Sequence, residues 1–182
     1  MSNSLFGEGG YNLDYFQFYN WGTFNGKIYT LNADNESTVL IGDNGSGKTT
    51  LVDAFLTLLV PNEKRYYNQS SGETNKKDRS EETYVLGAFG NKLSDKDEGG
   101  KFEVQNYHRK KENTISILNG CFTNTLEQRS FTLLQIRYYT ASALNQVYAI
   151  TEGKITIEQI QETLRDQNIE LIKNKNWKNT LS

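Results

Sequence analysis

Residues 40–60 read LIGDNGSGKTTLVDAFLTLLV: a short apolar run, a glycine-rich turn, then apolar residues at helical spacing. Gly42, Asp43, Asn44, Gly45, Ser46, Gly47, Lys48 and Thr49 fit the pattern G-x-x-x-x-G-K-[ST] at every fixed position. The glycines let the backbone turn tightly and aim its N–H groups inward as an anion nest. A helix starting at Lys48 adds the partial positive charge of its N-terminus. Lys48 is expected on the β- and γ-phosphates of a nucleotide and Thr49 on Mg²⁺, with Thr50 closing the set. Asn44 tolerates left-handed geometry and has a place in the turn whether or not it touches phosphate.

Outward from this loop the chain reads as α/β, with strands outnumbering helices. STVLI (37–41) is expected as a short buried strand entering the loop. Leu51, Val52, Phe55, Leu58 and Leu59 space a helix over 48–60 that Pro61 stops, with Leu51, Phe55 and Leu59 packing it on a sheet. Upstream, YNLDYFQFYN (11–20) and GKIYTLN (26–32) read as strands around WGTFNG, where Gly22 and Asn25-Gly26 suit turns. Downstream, 61–82 reads as a long loop, TYVLGAF (83–89) as a strand and 90–100 as another loop. Strand-like runs at 102–107, 114–123 and 130–139 suggest an antiparallel meander, extended by QVYAI (146–150). A helix over 156–166 follows, with Thr156 as N-cap and Ile157, Ile160 and Leu164 on one face.

Composition removes several classes of function. At 182 residues the chain is a single domain with room for a core. Net charge is −2, with 20 basic and 22 acidic residues, so no global field marks a nucleic-acid binder. Local basic stretches remain: Lys64-Arg65, Lys76-Lys77 with Arg79, and His108 to Lys111 at an expected hairpin tip, each beside acidic or aromatic neighbours. Of these, Lys64, Arg65, Arg109, Lys110 and Lys111 are the candidates for DNA contact, against the plainer reading of solvated charge. The single histidine excludes a histidine metal cluster or triad within the chain. The single cysteine, Cys121, excludes an internal disulfide, reads as a small buried strand residue and fits a reducing cytoplasm. The N-terminus lacks a secretion signal and no apolar run reaches the length of a membrane span, so a cytoplasmic location is expected.

The words around the loop, NWGTFNGKIYTLN before it and KRYYNQSSGE and TYVLGAFG after it, resemble the N-terminal ATPase head half of SMC-like proteins related to MukB and MksF. They are most similar to the JetC family of Wadjet plasmid-defence systems. The resemblance covers roughly residues 13–165. It implies half of an ABC-type head with an antiparallel β lobe, completed by a C-terminal half across a long coiled coil. It also implies ATP and Mg²⁺ sandwiched between two heads, and a complex with a kleisin, a winged-helix subunit and a Toprim-type nuclease that acts on DNA. In such heads a Q-loop glutamine senses the metal; Gln146 is the favoured candidate and Gln135 its rival, which strand alternation could also leave facing solvent. Related heads bring the first turn, here Asn20, Trp21 and Thr23, towards adenine and ribose; Trp21 as an aromatic plug is the competing reading.

The departures from the family pattern bear on turnover. A Walker B strand, four apolar residues then Asp-Glu, is absent from these residues, and Asp53 lies instead on the loop's own helix. LSDKDEGG (93–100) and QSSGE (69–73) only echo a signature motif. The expectation is therefore weak phosphate binding and little hydrolysis by this segment alone. The alternatives are a non-hydrolysing nucleotide-binding or interaction module, or part of a MukB-like chromosome-partition or SbcC-like DNA-repair ATPase.

Overall fold

The aromatic run after Tyr11 forms β1 (Asn12–Trp21), which turns through Gly22-Thr23 into β2 (Phe24–Asn32), with Trp21 opposite Phe24. Asn25-Gly26 therefore lies inside β2 and not in the turn. The computed structural model describes residues 10–61, 64–65, 80–95, 101–140 and 143–166. β5 (Ile115–Asn124), β6 (Arg129–Thr140) and β7 (Ala143–Glu152) form an antiparallel meander, but the run at 102–107, expected as its first strand, does not join it, and β1 pairs with β5 instead. The result is one antiparallel sheet in the order β2-β1-β5-β6-β7.

Side chains alternate across this sheet, and both of its faces are covered. On one face Phe16, Phe18, Trp21, Leu118 and Tyr139 meet Ala54 and Leu58 of α1 (Lys48–Leu59) and Tyr84, Val85 and Leu86 of α2 (Glu81–Leu86). On the other, Ile117, Leu134 and Ile136 meet Ile157 and Ile160 of α3 (Ile157–Asp166). Thr156 and Gln159 cap α3 reciprocally, Gln159 N–H donating to the threonine hydroxyl and Thr156 N–H to the glutamine oxygen. The side chain of Leu164 lies outside the described residues. Cys121 is buried in β5, as expected of a small strand residue.

Four local expectations change. TYVLGAF does not form a strand. Its first part is α2, started by a capping box between Ser80 and Thr83 with Glu81 and Glu82 in the first turn, and stopped by Gly87 at φ 70. A six-residue helix shows too little periodicity to stand out from an apolar strand. Its last residues open β3 (Ala88–Asp95), which pairs with β4 (Lys101–Tyr107) in a separate two-stranded ribbon where a loop was expected at 90–100. Residues 108–111 are consequently no hairpin tip. They lead from β4 into a short 3₁₀ turn (Lys111–Asn113) before β5.

The fourth change concerns the approach to the phosphate loop. Residues 37–41 form no regular secondary structure and pair with no strand among the described residues, and Val39 and Ile41 are 79% and 90% exposed. An apolar run becomes a strand only when a neighbour supplies its ladder, and no described element does so here. On α1, Val52, Leu56 and Leu59 are exposed at helical spacing, so Leu59 does not pack on the sheet as expected.

Candidate nucleotide-binding site

The loop delivers what an anion needs. Gly45 (φ 84) and Gly47 (φ 94) take left-handed conformations that L side chains rarely adopt, and Ser46 N–H closes the turn onto Asp43 O at 3.2 Å. Gly47 is the N-cap of α1, with no side-chain cap and no acidic residue in the first turn. The first intrahelical bond runs from Leu51 N–H to Gly47 O at 2.9 Å. The N–H groups of Lys48, Thr49 and Thr50 thus have no intrahelical acceptor, and no local carboxylate neutralises the helix dipole. Lys48 folds over its own loop, its Nζ donating to Gly42 O at 2.6 Å and Asp43 O at 2.7 Å, with Ser46 Oγ at 3.5 Å. Its ammonium holds the carbonyl rim, and an incoming phosphate would compete with these carbonyls for it. Asp43, Asn44, Gly45, Ser46 and Thr49 are all exposed around this rim.

The loop is backed by the β1–β2 turn, which places two residues that sequence reading missed. A Cβ on Gly47 would come within 2.6 Å of the Phe24 ring, so this ring abuts the corner where the loop becomes helix. A Cβ on Gly22 (φ 55) would come within 2.5 Å of Thr50 Cγ2, so Thr50 packs against the turn. Arg109 holds the turn from behind. Its Nη2 donates to Gly22 O and Tyr84 O (both 2.9 Å), its Nη1 to Phe24 O (3.2 Å) and Asn25 Oδ1 (3.0 Å), and its Nε to Val85 O (2.7 Å). Burial pushes the guanidinium down to about 10, partly opposed by Tyr19, so it stays charged at neutral pH. Nothing in HRKK separates this arginine from its neighbours, because its partners lie in distant segments.

Of the first-turn candidates, Thr23 is exposed in the turn, while Trp21 and Asn20 have structural work. Trp21 is fully buried, stacked on Tyr84 at 5.1 Å with the Arg137 guanidinium 5.3 Å from its ring centre. Asn20 (φ 54) donates to Ile115 O and accepts from Gly26 N–H, both at 2.9 Å. Beside it, Tyr19, Asn25, Gly26, Arg109, Lys110 and Thr114 line a cleft of about 360 Å³.

The remaining candidates scatter. Gln146 lies on β7, its Oε1 accepting from Tyr148 Oη at 2.9 Å. Tyr148 Oη lies 3.4 Å from Arg65, whose Nε bonds Val60 O just past the C-terminal end of α1. The structure therefore ties Gln146 to the end of α1 opposite the phosphate loop. Gln135 is 1% exposed and does not face solvent. The Arg65 side chain is 3% exposed and pairs with Glu81 at 3.1 Å; Glu81 also pairs with the fully buried Arg137. Arg65 and Arg109 thus serve the fold: the Arg65 guanidinium is buried against Glu81, and the half-buried Arg109 guanidinium is taken up by carbonyls of the chain. Lys64 and Lys110 are exposed, and Lys111 pairs with Glu82 at 2.6 Å on the surface. Lys76, Lys77 and Arg79 fall outside the described residues. Asp53 is buried on α1 and accepts from Tyr84 Oη, binding α1 to α2. Among the described residues no cluster of three metal-ligating side chains occurs. The loop's donors fit a phosphate group.

Comparison with known proteins agrees with the loop's reading. Residues 13–74 match the family model described as the P-loop containing region of AAA domain. No curated protein matches the chain. Among solved structures, one from work on the ATP-driven dimerisation and DNA-stimulated activation of SMC ATPases overlays with a TM-score of 0.45 at 14% identity, covering 85% of this chain and 78% of that one. The chain therefore carries a P-loop NTPase element within an α/β fold of antiparallel strands and few helices. Among the described residues no helix is long and apolar enough to cross a membrane.

Proposed function

We propose that this chain is the ATP-binding N-terminal segment of an SMC-like head. It would work inside a DNA-translocating or loop-extruding complex, in a Wadjet-type anti-plasmid setting. The observation that carries the nucleotide half of this reading is the uncapped start of α1. Its free N–H groups, the left-handed Gly45 and Gly47, and Lys48 at the carbonyl rim are the donor set a triphosphate requires. Thr49 would contribute one oxygen to a magnesium ion that the phosphates and water would otherwise ligate. Magnesium bound there would neutralise phosphate charge, and a complementary segment would have to supply the remaining metal ligand and the group that orients water.

The exposed apolar strip supports the reading that the element is completed by another segment. Val39 and Ile41 on the approach to the loop, and Val52, Leu56 and Leu59 on α1, are exposed apolar residues that a further strand and its helix would cover. In this reading that cover is a C-terminal head half, and two completed heads enclose ATP. A kleisin, a winged-helix subunit, a Toprim-type nuclease and DNA are the further partners it names, in the cytoplasm. The test is to co-express this chain with candidate C-terminal head segments and measure Mg·ATP turnover. Turnover that appears only with the second segment, and disappears with Lys48→Ala, supports it. Co-purification without turnover favours a non-hydrolysing interaction module.

A further inference from the structure

We propose that Arg109 is a positioning residue for the phosphate loop, coupling the β3–β4 ribbon to the α1 N-terminus through the β1–β2 turn. The proposal deepens the nucleotide-binding reading and rests on it.

The ribbon is an outlying part of the molecule. Among the described residues its two strands pair only with each other, and two-stranded ribbons are marginal in water without support. Its base is fixed to four carbonyls at the end of α2: His108 N–H bonds Gly87 O and Arg109 N–H bonds Leu86 O, both at 3.0 Å, while the Arg109 side chain reaches Val85 O and Tyr84 O. The same side chain then crosses to the turn. It bonds Gly22 O and Phe24 O, the carbonyls of two residues that touch the phosphate loop. Gly22 faces Thr50, and the Phe24 ring abuts Gly47.

One guanidinium therefore joins the ribbon's base, the end of α2 and the backing of the loop through five hydrogen bonds in a fixed plane. A rotation of the ribbon would move Arg109, then the Phe24 carbonyl and ring, then the left-handed corner at Gly47. That corner sets the direction of the first helical N–H groups, so the geometry offered to phosphate follows the ribbon. Lysine cannot replace this link, because an ammonium has three donors and no planar fork. Gly87 tightens the arrangement further. A Cβ there would meet Gly22 O at 2.6 Å and Arg109 Nη2 at 2.7 Å.

The test is carried out on the full chain, reading the backbone amide resonances of Gly45, Gly47 and Lys48 and the affinity for a fluorescent ATP analogue with Mg²⁺. Arg109→Ala is expected to shift the Gly47 and Lys48 resonances while those of Ile117 and Ile136 in the sheet stay in place. Affinity should fall about tenfold, the worth of roughly one charge-assisted hydrogen bond. Ethylguanidinium should restore both readouts, and Arg109→Lys should restore neither. Lys111→Ala, which removes a neighbouring surface charge, should move neither.

If Arg109→Ala fails to fold, Phe24→Leu carries the test. It removes the ring from Gly47 while leaving the carbonyl, and must shift the same two resonances. Unmoved Gly47 and Lys48 resonances in a folded variant overturn the coupling. So does full recovery by lysine. A wild-type chain that binds no nucleotide overturns the nucleotide-binding reading instead, and the resonance shifts still judge the positioning role separately.

Discussion

The antiparallel sheet and the approach to the phosphate loop contain similar apolar residues and end in opposite conditions. In β5, Ile117 and Leu118 point to opposite faces and both are buried, because α3 covers one face and α1 with α2 the other. In residues 37–41, Val39 and Ile41 are equally apolar and lie almost fully in solvent. The difference is one of partners and not of propensity. A β-branched run becomes a strand when a neighbouring strand accepts its hydrogen bonds and a layer covers its side chains. The centre of the sheet is covered on both faces, whereas among the described residues the phosphate loop is backed by Phe24 and Gly22, with Arg109 behind them.

Substitutions sharpen this contrast. Trp21→Ala should cost the most, about 3–5 kcal/mol, as expected for deleting a large buried aromatic ring. Denaturant unfolding followed by circular dichroism measures it, and a loss below about 1 kcal/mol would mean the sheet is not the stable half. Glu81→Gln should cost about 3 kcal/mol, since it leaves Arg137 buried without its carboxylate. Salt should not compensate that loss, because Arg137 is fully shielded from solvent.

Smaller effects probe the ends of elements. Ser80→Ala should cost about 1 kcal/mol through the lost capping box of α2. At the bottom of the scale, Ile41→Ser should change stability by less than about 0.5 kcal/mol, as for a solvated side chain. A loss of 2 kcal/mol there would show that residues 37–41 have a partner within this chain after all.

Much of the architecture could be read before the structure. The phosphate loop, the start of α1 at Lys48, the β1–β2 pair, the β5–β6–β7 part of the meander and the capped α3 all carry local signals: glycine spacing, period-two alternation, or Thr156 as N-cap. What escaped depends on distant partners. The 37–41 strand failed because its apolar pattern is real and its neighbour is not among the described elements. α2 was masked by its apolar run, although Ser80, Thr83 and Gly87 were in place to announce it. Arg65 and Arg109 looked like surface charge, since a run of letters gives no sign that a guanidinium will find Glu81 or five acceptors in distant segments. Phe24 gained its place against Gly47 only once the hairpin folded back on the loop.

The central claim is that residues 42–50 form a working phosphate-binding element within an otherwise unfinished nucleotide site. Titration of the full chain with Mg·ATP, by calorimetry or with a fluorescent analogue, tests it most directly when paired with Lys48→Ala. The account predicts weak but saturable binding that falls about tenfold or more in Lys48→Ala, with the thermal midpoint unchanged because Lys48 bonds only its own exposed loop. Binding that survives Lys48→Ala undiminished, or a wild-type chain that does not bind at all, would contradict it.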